Sequence, residues 1–190
     1  MKTDDFNYTL PSECIAQEPV EPRDSSRLLV LNRKTDKLEH RVFRQVIDYF
    51  NPGDVLVLNQ TRVIPARVMA HKLSGGKVEL LLLRKEGETA WETLVGGKKI
   101  REGTQLMIAD NLAATVQEDL GGSRRRVVFS QPVEPFLLKV GQMPLPPYIR
   151  RKDRGQELRA LDRDRYQTVY ARRTGAVAAP TAGLHLTPGI

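Results

Sequence analysis

The chain has little cysteine: Cys14 is the only cysteine in its 190 residues. A single thiol excludes an internal disulfide and any zinc cluster built from several cysteines, and it is typical of a reducing compartment. No apolar run approaches the roughly 20 residues that a membrane-spanning helix needs, and the start of the chain has no hydrophobic signal segment. The sequence therefore predicts a cytoplasmic protein with no membrane partner.

Several catalytic signatures are also missing. The sequence has no G-x-G-x-x-G after a predicted strand, no Walker loop, no H-E-x-x-H and no G-x-S-x-G. Dinucleotide, nucleoside triphosphate, zinc-protease and α/β-hydrolase chemistry therefore lose their usual support. The histidines His40, His71 and His185 are far apart in sequence, which argues against a histidine metal site, and we predict no metal.

Positive charge is concentrated near the end of the sequence. Between Lys139 and Ile190, ten Lys and Arg stand against four Asp and Glu, which gives +6 of the formal +7. A local basic surface is typical of proteins that bind phosphate groups, most often those of nucleic acid. Arginine can hold phosphate through two parallel hydrogen bonds. The predicted RNA contacts are Arg150, Arg151, Arg163 and Arg172, with Lys152 and Arg154 in the same run. The alternative is a solvated helix face whose arginines pair with neighbouring acids. The separate basic triplet 124–126 is interpreted as a solvated hairpin end.

The middle of the chain has the pattern of turns and short strands that is typical of an all-β unit. Between residues 68 and 130, glycine pairs separate short runs of β-forming residues, which indicates a small barrel or Greek-key module. A short helix is predicted over 133–140, with Gly141 in position to end it. The proline-rich segment 144–148 is predicted to be an extended strap.

The flanking segments indicate mixed α/β structure. Two continuous apolar runs, 28–31 and 54–59, predict strands buried on both faces. Helices are predicted over 10–17, 42–50 and about 156–172. The predicted fold class is α+β, mainly antiparallel β. A mixed α/β body formed by residues 1–67 and 141–190 would carry an inserted β-barrel domain of residues 68–140.

Polar residues next to these elements are candidates for chemistry. His185 follows Gly183 in a short loop, where an imidazole can exchange protons near neutral pH; the alternative is an ordinary loop histidine beside a turn glycine. Polar residues also precede the first predicted apolar strand, at 24–27, and follow the second, at 59–62. If those strands are neighbours, the two loops face one pocket. The alternative is that Asp24 and Ser26 only cap turns.

Five blocks of sequence are distinctive when they are taken together. They read EPRDSSRLLVLNR (21–33), GDVLVLNQTRVIPAR (53–67), MPLPPYIRR (143–151), DRDRYQTVYA (162–171) and GAVAAPTAGLHLT (175–187). In this order they closely resemble the S-adenosylmethionine:tRNA ribosyltransferase-isomerase family. The resemblance implies a mixed α/β body with an inserted β-barrel domain.

The resemblance also implies an activity. It implies transfer of the ribosyl moiety of S-adenosylmethionine to 7-aminomethyl-7-deazaguanine in a tRNA anticodon stem-loop, which forms epoxyqueuosine and releases adenine and methionine. S-adenosylmethionine is then a co-substrate, no metal is implied, and we expect a monomer. The expected catalytic residues are His185 and Tyr166. The expected substrate-binding residues are Asp24, Arg27, Asn59, Thr61, Arg62, Gln167, Thr168, Thr181 and Gly183.

The sequence departs from the family pattern at two points. Leu186 stands where the family commonly has phenylalanine after the histidine, which removes an aromatic face. Members of the family also continue well beyond this motif, so we expect a body that is incomplete at its carboxyl end and a 190-residue chain that is destabilised and inactive. Two other interpretations remain open: a non-catalytic RNA-binding module and a ribosome-associated structural protein.

Overall fold

The computed structural model describes residues 2–109, 111–151 and 156–190, so Lys152 and Arg154 of the predicted basic run lie outside it. Its strands are β1 (Arg27–Asn32), β2 (Lys37–Val42), β3 (Thr61–Val63), β4 (Arg67–Lys72), β5 (Lys77–Lys85), β6 (Ala90–Gly96), β7 (Gln105–Ala109), β8 (Leu112–Asp119), β9 (Arg124–Phe129), β10 (Gly141–Gln142) and β11 (Arg173–Ala176). Its helices are α1 (Glu134–Val140) and α2 (Gln156–Arg165), with 3₁₀ helices at Thr3–Phe6, Ser12–Cys14, Arg23–Ser25, Phe43–Tyr49 and Thr181–His185.

Strands β4 to β9 close into a barrel. The order is β4-β5-β6-β9-β8-β7, and β7 returns to β4 through the pairs His71 with Met107 and Lys72 with Leu106. Every pairing within the barrel is antiparallel. Closure leaves no strand with an unpaired edge. The predicted fold class, mainly antiparallel β with a small barrel, is confirmed, whereas the domain boundaries 68–140 stay a prediction.

The barrel contains the larger of two hydrophobic cores. Alternate residues of β5, Val78, Leu80 and Leu82, point inward and are fully buried, as the two-residue period of a strand requires. Helix α1 adds Leu137 to this core and ends at Gly141, as predicted. A Cβ at Gly141 would lie 2.1 Å from the carbonyl oxygen of Pro65, so only glycine fits where the chain leaves the helix.

The basic triplet lies at the predicted hairpin end, where the β8–β9 turn enters β9, but its arginines pair with acids, so the prediction that they are merely solvated is wrong. Arg124 Nε donates to Glu92 at 2.7 Å, and Arg126 Nε donates to Glu86 at 2.8 Å. Glu92 also accepts from Arg84 at 3.2 Å, and its residue surface is only 6% exposed. Hydrogen bonds from Arg124 and then Arg84 hold the pKa of Glu92 below its ordinary value. Neighbouring strands therefore bring together charges that are distant in sequence.

Outside the barrel, the first apolar run is a strand but is not buried. β1 pairs with β2 in an antiparallel hairpin, and Leu29 and Leu31 are both exposed. The second run, 54–59, forms no strand in the structure, and Val55 and Val57 are 85% and 88% exposed. Burial on both faces requires neighbouring strands and covering layers. The described residues supply β1 with one neighbour and 54–59 with none, so the predicted burial is wrong for both runs.

The predicted helices outside the barrel are shorter than expected. The segment 10–17 contains only the 3₁₀ turn Ser12–Cys14, and 42–50 forms the 3₁₀ helix Phe43–Tyr49. α2 ends at Arg165, well before residue 172, because the side chain of Gln167 binds the backbone of β3. The chain must leave the helix to reach that strand.

Candidate functional site

Gln167 joins the segment after α2 to strand β3. The backbone N–H of Val63 donates to Gln167 Oε1 at 3.0 Å, and Gln167 Nε2 donates to the Val63 carbonyl at 2.6 Å. The side-chain amide thus replaces a strand neighbour for Val63, beside the parallel pairing of β3 with β11. Because both of its polar groups are occupied, Gln167 has a structural task here, in place of the predicted contact with substrate.

Arg23 holds three separate segments together. Its guanidinium donates to the carbonyl oxygens of Gln167 at 2.5 Å, Asp164 at 3.0 Å and Leu184 at 3.5 Å. The 3₁₀ helix Arg23–Ser25 is thereby fixed against the loop that carries His185. Our sequence reasoning missed Arg23, although it lies within the block EPRDSSR that carries the resemblance.

Two adjoining cavities meet at this junction. One, of about 260 Å³, is lined by Pro19, Val20, Arg23, Ser26, Arg165, Thr181, Leu184 and His185. The other, of about 230 Å³, shares Pro19, Arg165, Thr181 and Leu184 with the first and adds Tyr166, Tyr148, Glu18 and several apolar residues. We call the two cavities together the His185 crevice. The predicted catalytic residues His185 and Tyr166 line its two halves.

The orientation of the His185 ring is fixed by two contacts. His185 Nδ1 lies 3.0 Å from the carbonyl oxygen of Ala182. A carbonyl only accepts hydrogen bonds, so Nδ1 carries the proton and Nε2 is left for proton exchange. The ring of Phe43 lies 5.0 Å from the imidazole, centroid to centroid, at an interplanar angle of 31°. Phe43 thus supports one side of the ring.

Gly183 is required by packing. A Cβ built at Gly183 would lie 2.1 Å from the phenolic oxygen of Tyr170 and 3.1 Å from Cγ2 of Thr168. Both Gly183 and Thr168 are buried, and the hydroxyl of Thr168 has no hydrogen-bond partner within the described ranges. The predicted substrate-binding residues Gly183, within the 3₁₀ helix Thr181–His185, and Thr168 therefore pack against each other.

Most of the other predicted polar residues do not line the crevice. Because β1 and the segment 54–59 are not paired, the condition under which loops 24–27 and 59–62 would face one pocket is not met. The Ser26 hydroxyl donates to the Arg23 carbonyl at 2.8 Å, which is the turn-capping alternative, and Asn59 likewise accepts from the backbone N–H of Thr61 at 2.9 Å. The lining of the crevice includes Arg23, Ser26 and Thr181, but not the predicted Asp24, Arg27, Asn59, Thr61 and Arg62.

The predicted RNA-binding arginines divide into two groups. Arg151 donates to both carboxylate oxygens of Asp162, at 3.0 Å from Nε and 2.9 Å from an Nη, and also to the carbonyl of Gln17. Arg163 donates to the carbonyl of Leu138. Arg151 is thus committed to internal pairing and is withdrawn as a phosphate contact. Arg150 and Arg172 are exposed and form no ion pair with any described residue, so both stay predictions.

Neither a metal site nor a membrane-spanning helix is found among the described residues. They bring together no group of three His, Cys, Asp or Glu that could hold a metal ion. Within the same ranges, no helix has the length and apolar character needed to cross a bilayer. The absence of a metal from the chemistry stays a prediction.

Comparison with known proteins gives consistent matches. Residues 3–190 match the family described as Queuosine biosynthesis protein. A protein of Thermotoga petrophila named S-adenosylmethionine:tRNA ribosyltransferase-isomerase is 50% identical over 190 residues, which are 99% of this chain and 54% of that protein. A protein of Dehalococcoides mccartyi with the same name is 49% identical over 195 residues, again 99% of this chain and 54% of that protein. The chain thus spans about half the length of the curated relatives it matches.

One solved structure is also similar in sequence. The S-adenosylmethionine tRNA ribosyltransferase of Thermotoga maritima is 42% identical, and the match covers 76% of this chain and 52% of that one. The TM-score is 0.37, so the superposition carries no argument about shape.

Proposed function

Because the chain belongs to the Queuosine biosynthesis protein family, we propose that it acts in tRNA modification as an S-adenosylmethionine-dependent ribosyltransferase-isomerase. The reaction moves the ribosyl moiety of S-adenosylmethionine to 7-aminomethyl-7-deazaguanine in tRNA and releases adenine and methionine. The observation that carries the proposal is the His185 crevice, where His185 and Tyr166, from two of the matching sequence blocks, line adjoining cavities.

The chemistry requires a group that moves protons. The positive sulfonium of S-adenosylmethionine acidifies the neighbouring C5′ hydrogens, so a base that removes one of them can start the rearrangement that opens the ribose and expels adenine. His185 suits this task because its Nδ1–H is held by Ala182, which leaves Nε2 free to accept the proton. The Tyr166 hydroxyl is the proposed second proton-transfer group.

The residues of the crevice fit the positive charge of the substrate. Aromatic faces attract cations, and the exposed Tyr148 lines the half that Glu18 and Tyr166 also line, while Tyr166 itself is buried in a cluster with Val63, Met143, Leu145 and Ala179. Tyr148 and Glu18 suit a sulfonium. Arg165 lines both halves, but its guanidinium pairs with the carboxylate of Glu21 and donates to the Val20 carbonyl, so it is committed to internal contacts, as Arg151 is.

The tRNA would be held by exposed cations. Arg150 and Arg172 have exposed side chains, and such guanidinium groups contact phosphate in a manner that positions RNA without reading its sequence. The anticodon base carrying the deazaguanine would then be turned out of its stack to reach the crevice. A cytoplasmic location and a monomeric state also stay predictions; light scattering on the purified protein checks the second.

Calorimetry with S-adenosylmethionine alone tests the proposal against a non-catalytic RNA-binding module. A longer form that spans the relatives' full length, titrated in the absence of RNA, should show saturable binding. A Thr181→Val variant, which removes a hydroxyl that lines both cavities, should bind more weakly than the unaltered protein. The absence of any binding heat at several temperatures would favour the RNA-binding module and contradict the proposal.

A further inference from the structure

Two neighbouring turns bring five cations to one end of the barrel. Lys72 and Lys77 flank the β4–β5 turn, and Lys98, Lys99 and Arg101 lie in the β6–β7 loop. Lys72 Nζ donates to the Lys98 carbonyl at 2.6 Å, which joins the turn to the loop. A Cβ on Gly97 would lie 3.5 Å from the Lys77 carbonyl, which shows that the two segments also touch through the backbone. We call these five side chains the lysine end.

The lysine end is not neutralised by acids. None of its five cations forms an ion pair with a described residue, and four of them are exposed while Lys72 is half-buried. Of the acids closest in sequence, Glu79 lies 3.3 Å from Arg67 Nε, and Glu102 accepts from the backbone N–H of Asp119 and forms no ion pair with a described residue, so a single unpaired carboxylate adjoins five cations. The positive charges therefore remain available to an outside ligand.

The rest of the barrel wall shows that this arrangement is not a general property of its surface. In the β5, β6 and β9 wall, Arg84, Arg124 and Arg126 are each paired with a carboxylate. Like charges held together without counter-charges repel one another and destabilise a compact fold. Lysine also presents a compact charge that suits phosphate as a point contact, without the planar geometry that arginine imposes.

We propose that the lysine end is a second RNA contact, which binds the phosphate backbone of the tRNA. This inference rests on the proposed function, because it names a further surface for the same partner. The surface lies on the closed barrel, whose hydrogen-bonded strands hold the two turns in place before RNA arrives. Phosphate contacts of this kind release counterions, so they contribute affinity that falls as salt rises.

The test is a triple variant, Lys98→Gln, Lys99→Gln and Arg101→Gln, with a control of equal charge change. The control is Lys2→Gln, Arg33→Gln and Lys34→Gln, which are exposed residues outside the barrel that form no ion pair with described residues. The tRNA dissociation constant is measured by fluorescence anisotropy from low to high salt, in a longer form that spans the relatives' length. Thermal unfolding and S-adenosylmethionine binding are measured in parallel.

The barrel variant should weaken tRNA binding about tenfold at low salt and reduce the slope of log affinity against log salt by roughly 2 to 3, whereas the control should change little. If the barrel variant loses affinity for full-length tRNA but not for an isolated anticodon stem-loop, the contact lies outside the stem-loop. If it loses affinity for both, the contact lies within the stem-loop. Either result supports the proposal. Equal losses in both variants, or unchanged affinity in the barrel variant, overturn it. If the unaltered protein binds no tRNA, the proposed function itself fails.

Discussion

The barrel and the segments outside it contain similar apolar runs but bury them to very different extents. In β5, Leu80 and Leu82 are fully buried, whereas Val55 and Val57 of the run 54–59 are the most exposed of the large hydrophobic residues in the described chain. Both runs are rich in valine and leucine. The difference is that β5 has a hydrogen-bonded neighbour on each edge, and 54–59 has none within the described residues. Burial therefore depends on available partner strands as much as on the residues themselves.

The comparison extends to the polar groups. In the barrel wall, charges neutralise one another across strands, as Glu92 does with Arg84 and Arg124. Around the His185 crevice, Arg151 and Arg165 also form ion pairs, with Asp162 and Glu21, but Arg23 instead donates to backbone carbonyls of separate segments. The barrel is stabilised by its own closure, while the site depends on a few side chains that connect short, irregular segments.

The largest expected effect is on ribosyl transfer, and it is seen by comparing a histidine of the crevice with a histidine of the barrel. In a longer form with activity, His185→Ala should reduce ribosyl transfer about 100- to 10,000-fold, because a proton-transfer group is lost. His71→Ala, at an exposed position in β4, should leave turnover almost unchanged. Transfer is measured with labelled S-adenosylmethionine, and tRNA affinity should be retained in both variants. Near-normal turnover by His185→Ala would remove His185 from the mechanism.

Truncation of apolar side chains tests the difference in burial. Leu80→Ala should reduce the free energy of unfolding by about 2 to 5 kcal/mol, because it leaves a cavity in a closed core. Val57→Ala should change it by less than about 0.5 kcal/mol, since the side chain is exposed. Denaturant unfolding of the 190-residue chain measures both. Similar losses would mean that 54–59 is packed in solution and that the contrast with the barrel is wrong.

Two glycines distinguish backbone crowding from side-chain crowding. Gly141→Ala should destabilise the barrel junction by about 1 to 3 kcal/mol, because its Cβ meets backbone atoms that cannot move aside. Gly183→Ala meets the Tyr170 hydroxyl, so Tyr170→Phe should restore part of the loss. A double-mutant cycle from thermal unfolding measures the coupling. If Tyr170→Phe gives no rescue, the described contact between Tyr170 and Gly183 is contradicted.

The smallest expected effect is on the way the stability of the barrel depends on pH. The pKa of Glu92 is lowered by Arg124 and Arg84, so its contribution to stability is present above the unfolded carboxyl's pKa of about 4.5 and is lost as pH falls through the folded value. Glu92→Gln should therefore be less stable than the unaltered chain near neutral pH and lose less stability on acidification. Unfolding midpoints between neutral and acidic pH provide the measurement. Parallel curves of unfolding midpoint against pH for the two proteins would show that Glu92 does not cause the pH dependence of stability.

The barrel was predictable from sequence because its signals are local. Glycine pairs and alternating apolar residues, such as Val78, Leu80 and Leu82, specify short strands without reference to the rest of the chain. The ion pairs of its wall were not predictable, because Glu92 and Arg124 become neighbours only through strand pairing. The burial predicted for β1 and 54–59 failed for the same reason, since an apolar run does not specify its partners.

The site was predictable only in part. The sequence indicated His185 and Tyr166 through their blocks, and the structure places both along one crevice. The task of Gln167 was missed because an amide that binds substrate and one that replaces a strand neighbour look identical in sequence. Arg23 was missed because its partners are carbonyl groups, which every residue has and no motif records.

The most direct measurement of the central claim follows the sugar of S-adenosylmethionine. A longer form that spans the relatives' length is incubated with tRNA carrying the deazaguanine precursor and with S-adenosylmethionine labelled either in the ribose or in the methyl group. We predict that the ribose label enters the RNA, that the methyl label does not, and that His185→Ala abolishes the incorporation. Transfer of the methyl label, or no ribose label in the RNA, would contradict the proposed function.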